Sequence, residues 1–90
     1  MGTVKIQGET LSVERTDDHT LEVSGERAER IHTALSEFAD KGHINPLKDG
    51  KFTVDIEEVA MDAAQHSERG RDFLVRELVR LADKGEVRER

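Results

Sequence analysis

The stretch that decides the fold is the last quarter of the chain, residues 69–90, which reads RGRDFLVRELVRLADKGEVRER. Its apolar residues recur at spacings of three and four, the period of an amphipathic helix. On a helical wheel with 100° per residue they form one wide face, which comprises Leu74, Val75, Leu78, Leu81 and Ala82, with Val79 at its edge. The spacing predicts a helix over about 71–84 that Gly85 closes. Its apolar face requires another element to pack against.

Three segments near the N-terminus supply that element. Apolar and polar residues alternate over residues 3–7, 10–15 and 20–24, the pattern of strands buried on one face. We predict a three-stranded antiparallel meander with one apolar face, built from Val4, Ile6, Leu11, Val13, Leu21 and Val23. A sheet with one apolar face needs helices on that face.

The two turns of this meander have recognisable sequences. Gly8-Glu9 places glycine first, which predicts a two-residue type II′ turn. Asp17-Asp18 lies in the second turn, where we expect short acidic side chains to bond to the backbone.

Two more helices are expected between the meander and the last helix. The first has Ser24-Gly25 as its cap, a stripe that includes Ile31 and Leu35, and Gly42 as its C-terminal glycine. The second has Asp55 or Thr53 as its cap and runs to about residue 67.

The segment between these two helices is rich in turn residues. Asp49-Gly50 is a hairpin-type dipeptide, and the residues after it alternate from Phe52 to Ile56. Residues 52–54 are therefore either a short fourth strand or an extended lead into the next helix. We expect one α+β domain over residues 1–90, with the meander in 1–25 packed against about three helices in 26–90.

Composition limits the classes of function. The 90 residues contain no cysteine and carry a formal net charge of −6. Disulfides and thiolate metal sites are excluded, and together with the lack of a signal-peptide pattern this favours a cytoplasmic protein. No apolar run is long enough to span a membrane. The negative charge disfavours general binding to nucleic acid or anionic lipid.

No motif points to catalysis. The four histidines, His19, His32, His43 and His66, have no metal-ligand spacing, and no nucleophile elbow or phosphate-binding loop is present. We interpret the histidines as surface or hydrogen-bonded groups. We also interpret the acids Asp17, Asp18, Glu57, Glu58 and Asp62 as a solvated face, with docking of a basic partner or carboxylate catalysis as alternatives. We therefore predict no enzyme activity, cofactor or metal.

One residue of the last helix does not fit its polar face. Phe73 falls nearly opposite Leu78, in a basic stripe composed of Arg69, Phe73, Arg76, Arg80 and Lys84. One interpretation folds the ring under the Gly70 loop or against the preceding helix. The other makes the stripe a contact surface for an acidic partner, with the five residues as partner-binding residues.

Residues 53–90 also resemble the helix-turn-helix half of a winged-helix domain. TVDIEEVAMDAA is similar to the second helix of that family, and VRELVRLADKGEVRER to a recognition helix that runs into its wing. The resemblance implies that Arg69, Arg71, Arg76 and Arg80 contact DNA. It departs from the family at the long HSERG turn and at Arg90, where the sequence stops before a wing hairpin.

The leading functional hypothesis is a small non-enzymatic binding or regulatory protein that acts through protein–protein contact. An acidic inhibitor or immunity-type module, whose carboxylates meet a basic partner, belongs to this class. The alternative is a winged-helix-like regulator that binds nucleic acid with its last helix. Homo-oligomerisation is a further expectation, because a domain this small gains core by pairing helices.

Overall fold

The computed structural model describes residues 2–66 and 71–84. Within them the chain forms a four-stranded antiparallel sheet and three helices, which confirms the predicted α+β class. The elements in chain order are β1 Gly2–Ile6, β2 Glu9–Arg15, β3 Thr20–Ser24, α1 Ala28–Ser36, β4 Lys51–Asp55, α2 Ile56–His66 and α3 Arg71–Lys84.

The sheet has the strand order β1-β2-β3-β4, so the meander continues into a fourth strand. β4 pairs with β3 so that Phe52 lies opposite Val23 and Val54 opposite Leu21. Of the two alternatives for residues 52–54, the structure has the strand. The 26–90 part therefore contains a sheet strand as well as helices, because the alternating Phe52 and Val54 extend the apolar face of β3.

The core lies between one face of the sheet and the helices. α3 packs on β1 and β2, α2 packs on β3 and β4, and α1 packs on β4. The buried apolar side chains form one cluster. The strands contribute Leu11, Val13, Leu21, Val23, Phe52 and Val54. The helices contribute Ala28, Ile31, Leu35, Ile56, Val59, Ala63, Val75, Leu78, Leu81 and Ala82, and the turn after α1 contributes Phe38. The opposite face of the sheet is polar and carries Thr3, Lys5, Ser12, Glu14 and Glu22.

The first turn of the sheet differs from the predicted one. Ile6 pairs with Glu9, so the loop residues are Gln7 and Gly8, and both have positive φ, 53° and 82°. Two successive positive φ angles define a type I′ turn, whose twist matches that of the strands. The predicted type II′ turn at Gly8-Glu9 is wrong by one residue, because Glu9 belongs to β2, where its Oε1 lies 2.9 Å from Nη1 of Arg27.

The two acidic turns are confirmed. The Oδ1 of Asp17 accepts a hydrogen bond from the backbone N–H of His19 at 3.0 Å. Asp49 and Gly50 both have positive φ, 54° and 76°. The residues on either side of them, Lys48 and Lys51, exchange two backbone hydrogen bonds.

α1 is shorter than predicted at both ends. Ser24 belongs to β3, so it cannot cap the helix, and the N-cap is Arg27 without a side-chain bond. The helix ends at Ser36, and Gly42 is not its C-terminal glycine. After the helix, the backbone N–H of Asp40 donates to Oδ2 of Asp62 in α2 at 3.0 Å. A contact with another element thus replaces the last predicted turn.

α2 and α3 agree with their predicted ranges. The Oδ1 of Asp55 accepts from the backbone N–H of Glu58 at 3.1 Å, which confirms Asp55 as the cap of α2. α3 covers Arg71–Lys84, and the predicted closing residue, Gly85, lies outside the described residues. In the described ranges no helix has the length and apolar character that crossing a bilayer would require.

Candidate functional site

The outward face of α3 carries the residues that the sequence singled out. Phe73 is 53% exposed, whereas Leu78, which is 140° away on the helical wheel, is 2% exposed. The ring therefore points away from the core. The Gly70 loop lies outside the described residues, and the use of this face as a contact surface stays a prediction.

Two arginines share this face with Phe73. Arg76 and Arg80 are both exposed, and the three residues follow one another at i, i+3 and i+7 along the helix. Of the other two predicted stripe residues, Arg69 lies outside the described residues, and so does the side chain of Lys84. We define the α3 surface as Phe73, Arg76 and Arg80.

The inner face holds the α3 surface in place. Val75, Leu78 and Leu81 are each at most 3% exposed. At the end of the helix, Nε and Nη2 of Arg15 donate to the two carboxylate oxygens of Asp83 at 2.7 and 3.0 Å. The helix thus packs on the sheet with its inner face, and the α3 surface lies on its outer face.

The Arg15–Asp83 pair also affects the charge of α3. The hydrogen bond from Arg15 lowers the pKa of Asp83, so this carboxylate stays ionised and matched to a cation of the sheet. Both side chains are partly exposed, so the pair contributes at most about 1 kcal/mol to stability.

α2 also exposes a large apolar side chain. Met61 is 57% exposed and lies on the outward side of α2, near the exposed acids Glu57 and Glu58. Among the described residues, Met61 and Phe73 are the only large apolar side chains with such exposure. Their charged neighbours have opposite signs, so the two helices present chemically different surfaces.

α1 borders an open groove of about 590 Å³. Its lining is mostly acidic and consists of Glu9, Glu26, Glu29, Arg30, Thr33, Ala34 and Glu37. Two of the carboxylates are already used by the fold. Glu9 pairs with Arg27 at 2.9 Å and with Arg30 at 3.5 Å, and Glu26 accepts from the backbone N–H of Thr10 at 3.2 Å. The two arginines that pair with Glu9 therefore reduce the net negative charge of the groove.

A cluster that the sequence did not reveal lies between α2 and the segment after α1. The Nδ1 of His43 is 2.7 Å from Oδ2 of Asp62, and its Nε2 is 3.6 Å from Oε2 of Glu58. The hydrogen bond to Asp62 raises the pKa of His43. The side chain of Asp62 is 14% exposed, so its assignment to a solvated face is wrong. The i,i+4 pair Glu58 and Asp62 was the available signal, but only the fold shows which histidine it meets.

Two other histidines have structural partners. His32 is 3.0 Å from the carbonyl oxygen of Asn45, and its ring lies edge-on to Phe52 with centroids 4.9 Å apart. The Nδ1 of His19 is 3.4 Å from Oδ2 of Asp55. Within residues 2–66 and 71–84, no three His, Cys, Asp or Glu side chains are arranged to hold a metal ion.

Comparisons with protein-family models, with curated proteins and with solved structures each find no match to this chain. The functional argument therefore depends on the geometry of the chain itself.

Proposed function

We propose that this chain is a small non-enzymatic binding protein that acts through protein–protein contact, and that its α3 surface docks in an acidic groove of its partner. The exposure of Phe73 on a helix whose other face is core supports this most directly. Aromatic residues and arginine are the types enriched at the centres of protein interfaces.

The energetics favour a contact role for this ring. Full burial of a phenylalanine side chain is worth about 1.5–3 kcal/mol, and Phe73 retains 53% of its exposure in the folded chain. A partner pocket could therefore recover about 1 kcal/mol or more from this one ring. The exposed half of the ring contributes nothing to the fold, so its burial is available for binding.

The spacing of the α3 surface fits a known mode of recognition. Helices that bind in a groove present anchors at i, i+3, i+4 and i+7. Phe73, Arg76 and Arg80 occupy three of these positions on a helix that the core already orders. Because the helix is folded before it binds, association does not require an ordering step, which would weaken it. The arginines select a groove with an acidic rim.

The acidic-inhibitor version of this function would use the groove beside α1 and a basic partner. The pairing of Glu9 with two arginines makes that surface the weaker candidate. A nucleic-acid partner for α3 is the other alternative, and the net charge of −6 counts against it.

The test is a quantitative capture experiment from native lysate with three single variants. Phe73→Ser and Arg80→Glu alter the α3 surface, while Met61→Ser removes a similarly exposed apolar side chain from α2. We expect a protein captured by the wild type to be lost from the first two variants and kept by the third. Remixing purified partner and chain should show at least about a fivefold loss of affinity, since the ring contributes about 1 kcal/mol or more and 1.4 kcal/mol is tenfold.

Three outcomes contradict the proposal. Capture that is unchanged by Phe73→Ser and Arg80→Glu removes the α3 surface as the site. Capture that nuclease treatment abolishes assigns α3 to nucleic acid instead. Capture that Glu29→Lys abolishes and Arg80→Glu leaves intact assigns the function to the acidic groove. Thermal unfolding of each variant separates loss of binding from loss of fold.

A further inference from the structure

The two edge strands of the sheet, β1 and β4, differ in whether other parts of the chain form hydrogen bonds with their outward backbone groups. At the β4 edge, the segment 43–45 forms hydrogen bonds with backbone groups of β4 that point away from β3. Asn45 donates its N–H to the carbonyl of Thr53 at 3.0 Å, and the N–H of Asp55 donates to the carbonyl of His43 at 2.9 Å. This edge has no free row of donors and acceptors for another strand.

The β1 edge has no such cover. Ile6 and Glu9 close a two-residue hairpin, and such a hairpin is closed by a hydrogen-bonded pair. Hydrogen-bonded positions alternate along an antiparallel strand, so Val4 faces β2 and the N–H and C=O groups of Thr3 and Lys5 point outward. Among the residues that the structure describes, nothing bonds to these outward groups.

We propose that a second copy of this chain pairs with the β1 edge, antiparallel and with its two-fold axis at Val4, to give a continuous eight-stranded sheet. In this register Thr3 of each copy lies opposite Lys5 of the other. The four outward backbone groups of each strand are then all satisfied across the axis.

The side chains of β1 suit this register. The half-buried Val4 of one copy meets Val4 of the other, and Ile6 lies opposite Gly2, which has no side chain to obstruct it. Lys5 faces Thr3 rather than Lys5, so like charges are not opposed, which would destabilise a cross-strand pair. A register centred on Lys5 would place the two ammonium groups opposite each other. Charge therefore excludes the Lys5-centred register and is compatible with the Val4-centred one.

The symmetry also keeps the helices clear of the new strand pair. A two-fold axis perpendicular to the sheet places the helical layers of both copies on the same face. α3 of each copy then lies beside the axis, because α3 packs on β1 and β2. The inference is independent of the α3 surface proposed above, which points away from the sheet.

The pairing is short, so it should be weak and dependent on concentration. Five residues of edge strand bury much less than the roughly 800 Å² per partner of a standard interface. We expect sedimentation of the full chain between about 10 μM and about 1 mM to show the mass rising from the 10.1 kDa of one chain toward twice that value.

The absence of cysteine allows the register to be tested directly. Across the axis the two Cα atoms of residue 4 would be about 4.5 Å apart, within disulfide range. Those of residue 3 would be about 8–9 Å apart, which is too far. Under mild oxidation we expect Val4→Cys to form a disulfide dimer at least about tenfold faster than the matched Thr3→Cys.

A second pair of variants guards against altered folding. Lys5→Pro removes an outward N–H and no bond within the chain, so it should abolish the dimer, whereas Lys5→Ala should retain it. A wild-type chain that stays at 10.1 kDa up to about 1 mM overturns the inference. Equal cross-linking of the two cysteine variants, or a dimer that Lys5→Pro leaves intact, overturns the β1 register.

Discussion

Gly25 lies in the turn between β3 and α1. Among the described glycines with positive φ, it is the one where an added methyl group should lower the free energy of unfolding most. It has a φ of +105°, and a Cβ there would lie 2.7 Å from the carbonyl oxygen of Thr10 and 3.0 Å from its carbonyl carbon. Both atoms belong to the backbone of Thr10 in β2, which pairs with Lys5 of β1 and accepts a hydrogen bond from the N–H of Arg27. Thr10 cannot move away without disturbing these two contacts.

The expected cost follows from three effects. A side chain at this φ costs about 1–2 kcal/mol, and overpacking costs about 1–3 kcal/mol. A shift of β2 would also weaken the 3.0 Å hydrogen bond from the N–H of Arg27 to the carbonyl of Thr10, worth about 1 kcal/mol. Gly25→Ala should therefore lower the free energy of unfolding by about 3–6 kcal/mol.

Gly50 supplies a matched control. It also has a positive φ, 76°, but a Cβ there meets no atom within 4 Å. Gly50→Ala should cost only the conformational part, about 1–2 kcal/mol. Urea unfolding followed by circular dichroism measures both variants, and heating should separate their Tm values by about 10–20 °C at this domain size. If the two variants agree within about 0.5 kcal/mol, β2 yields to the methyl group and the reasoning fails.

Two further effects can be measured in the same unfolding assay. Asp55→Ala removes the cap of α2 and should cost about 1 kcal/mol, whereas Asp55→Asn should recover most of it, and equal losses would contradict the capping role. The hydrogen bond to Asp62 raises the pKa of His43 above the ordinary histidine value of 6.5. The protonated ring therefore stabilises the fold fully below pH 6.5, and this stabilisation is lost as the pH rises through the pKa that His43 has in the folded chain. The excess stability of wild type over His43→Gln should therefore shrink between about pH 6 and pH 8, and a constant difference would refute the His43–Asp62 pairing.

The elements that the sequence predicted well are those whose signal is periodic. Alternation located three strands, and the spacing of Leu74, Leu78 and Leu81 located α3 with its buried face. These patterns succeed because a half-buried element must repeat its apolar positions, whatever the rest of the chain does. Alternation did not decide whether residues 52–54 form a strand, because so short a segment has only two core residues, Phe52 and Val54.

The ends of α1 could not be predicted, because they are set by other elements. Serine is a residue type that often caps helices, but Ser24 lies in β3, where it pairs with Ser12 and Lys51 in the neighbouring strands. Glycine often follows the last turn of a helix, but α1 ends at Ser36, well before Gly42, and Asp40 then bonds to Asp62, which is 22 residues away in sequence. The local sequence shows which residues are able to end a helix, and contacts with other elements determine at which of them it ends.

The same distinction applies to the charged and aromatic residues of the candidate site. His43, Arg15 and Arg27 each meet a carboxylate from a distant part of the chain, so their roles are structural and were invisible in the sequence. Phe73 is the opposite case, since the phase of its own helix was enough to place it outward. Phe73 keeps 53% of its surface exposed, so the fold does not use all of the burial that this ring offers. This is why the α3 surface, rather than the better-connected histidine cluster, is the stronger candidate for binding a partner.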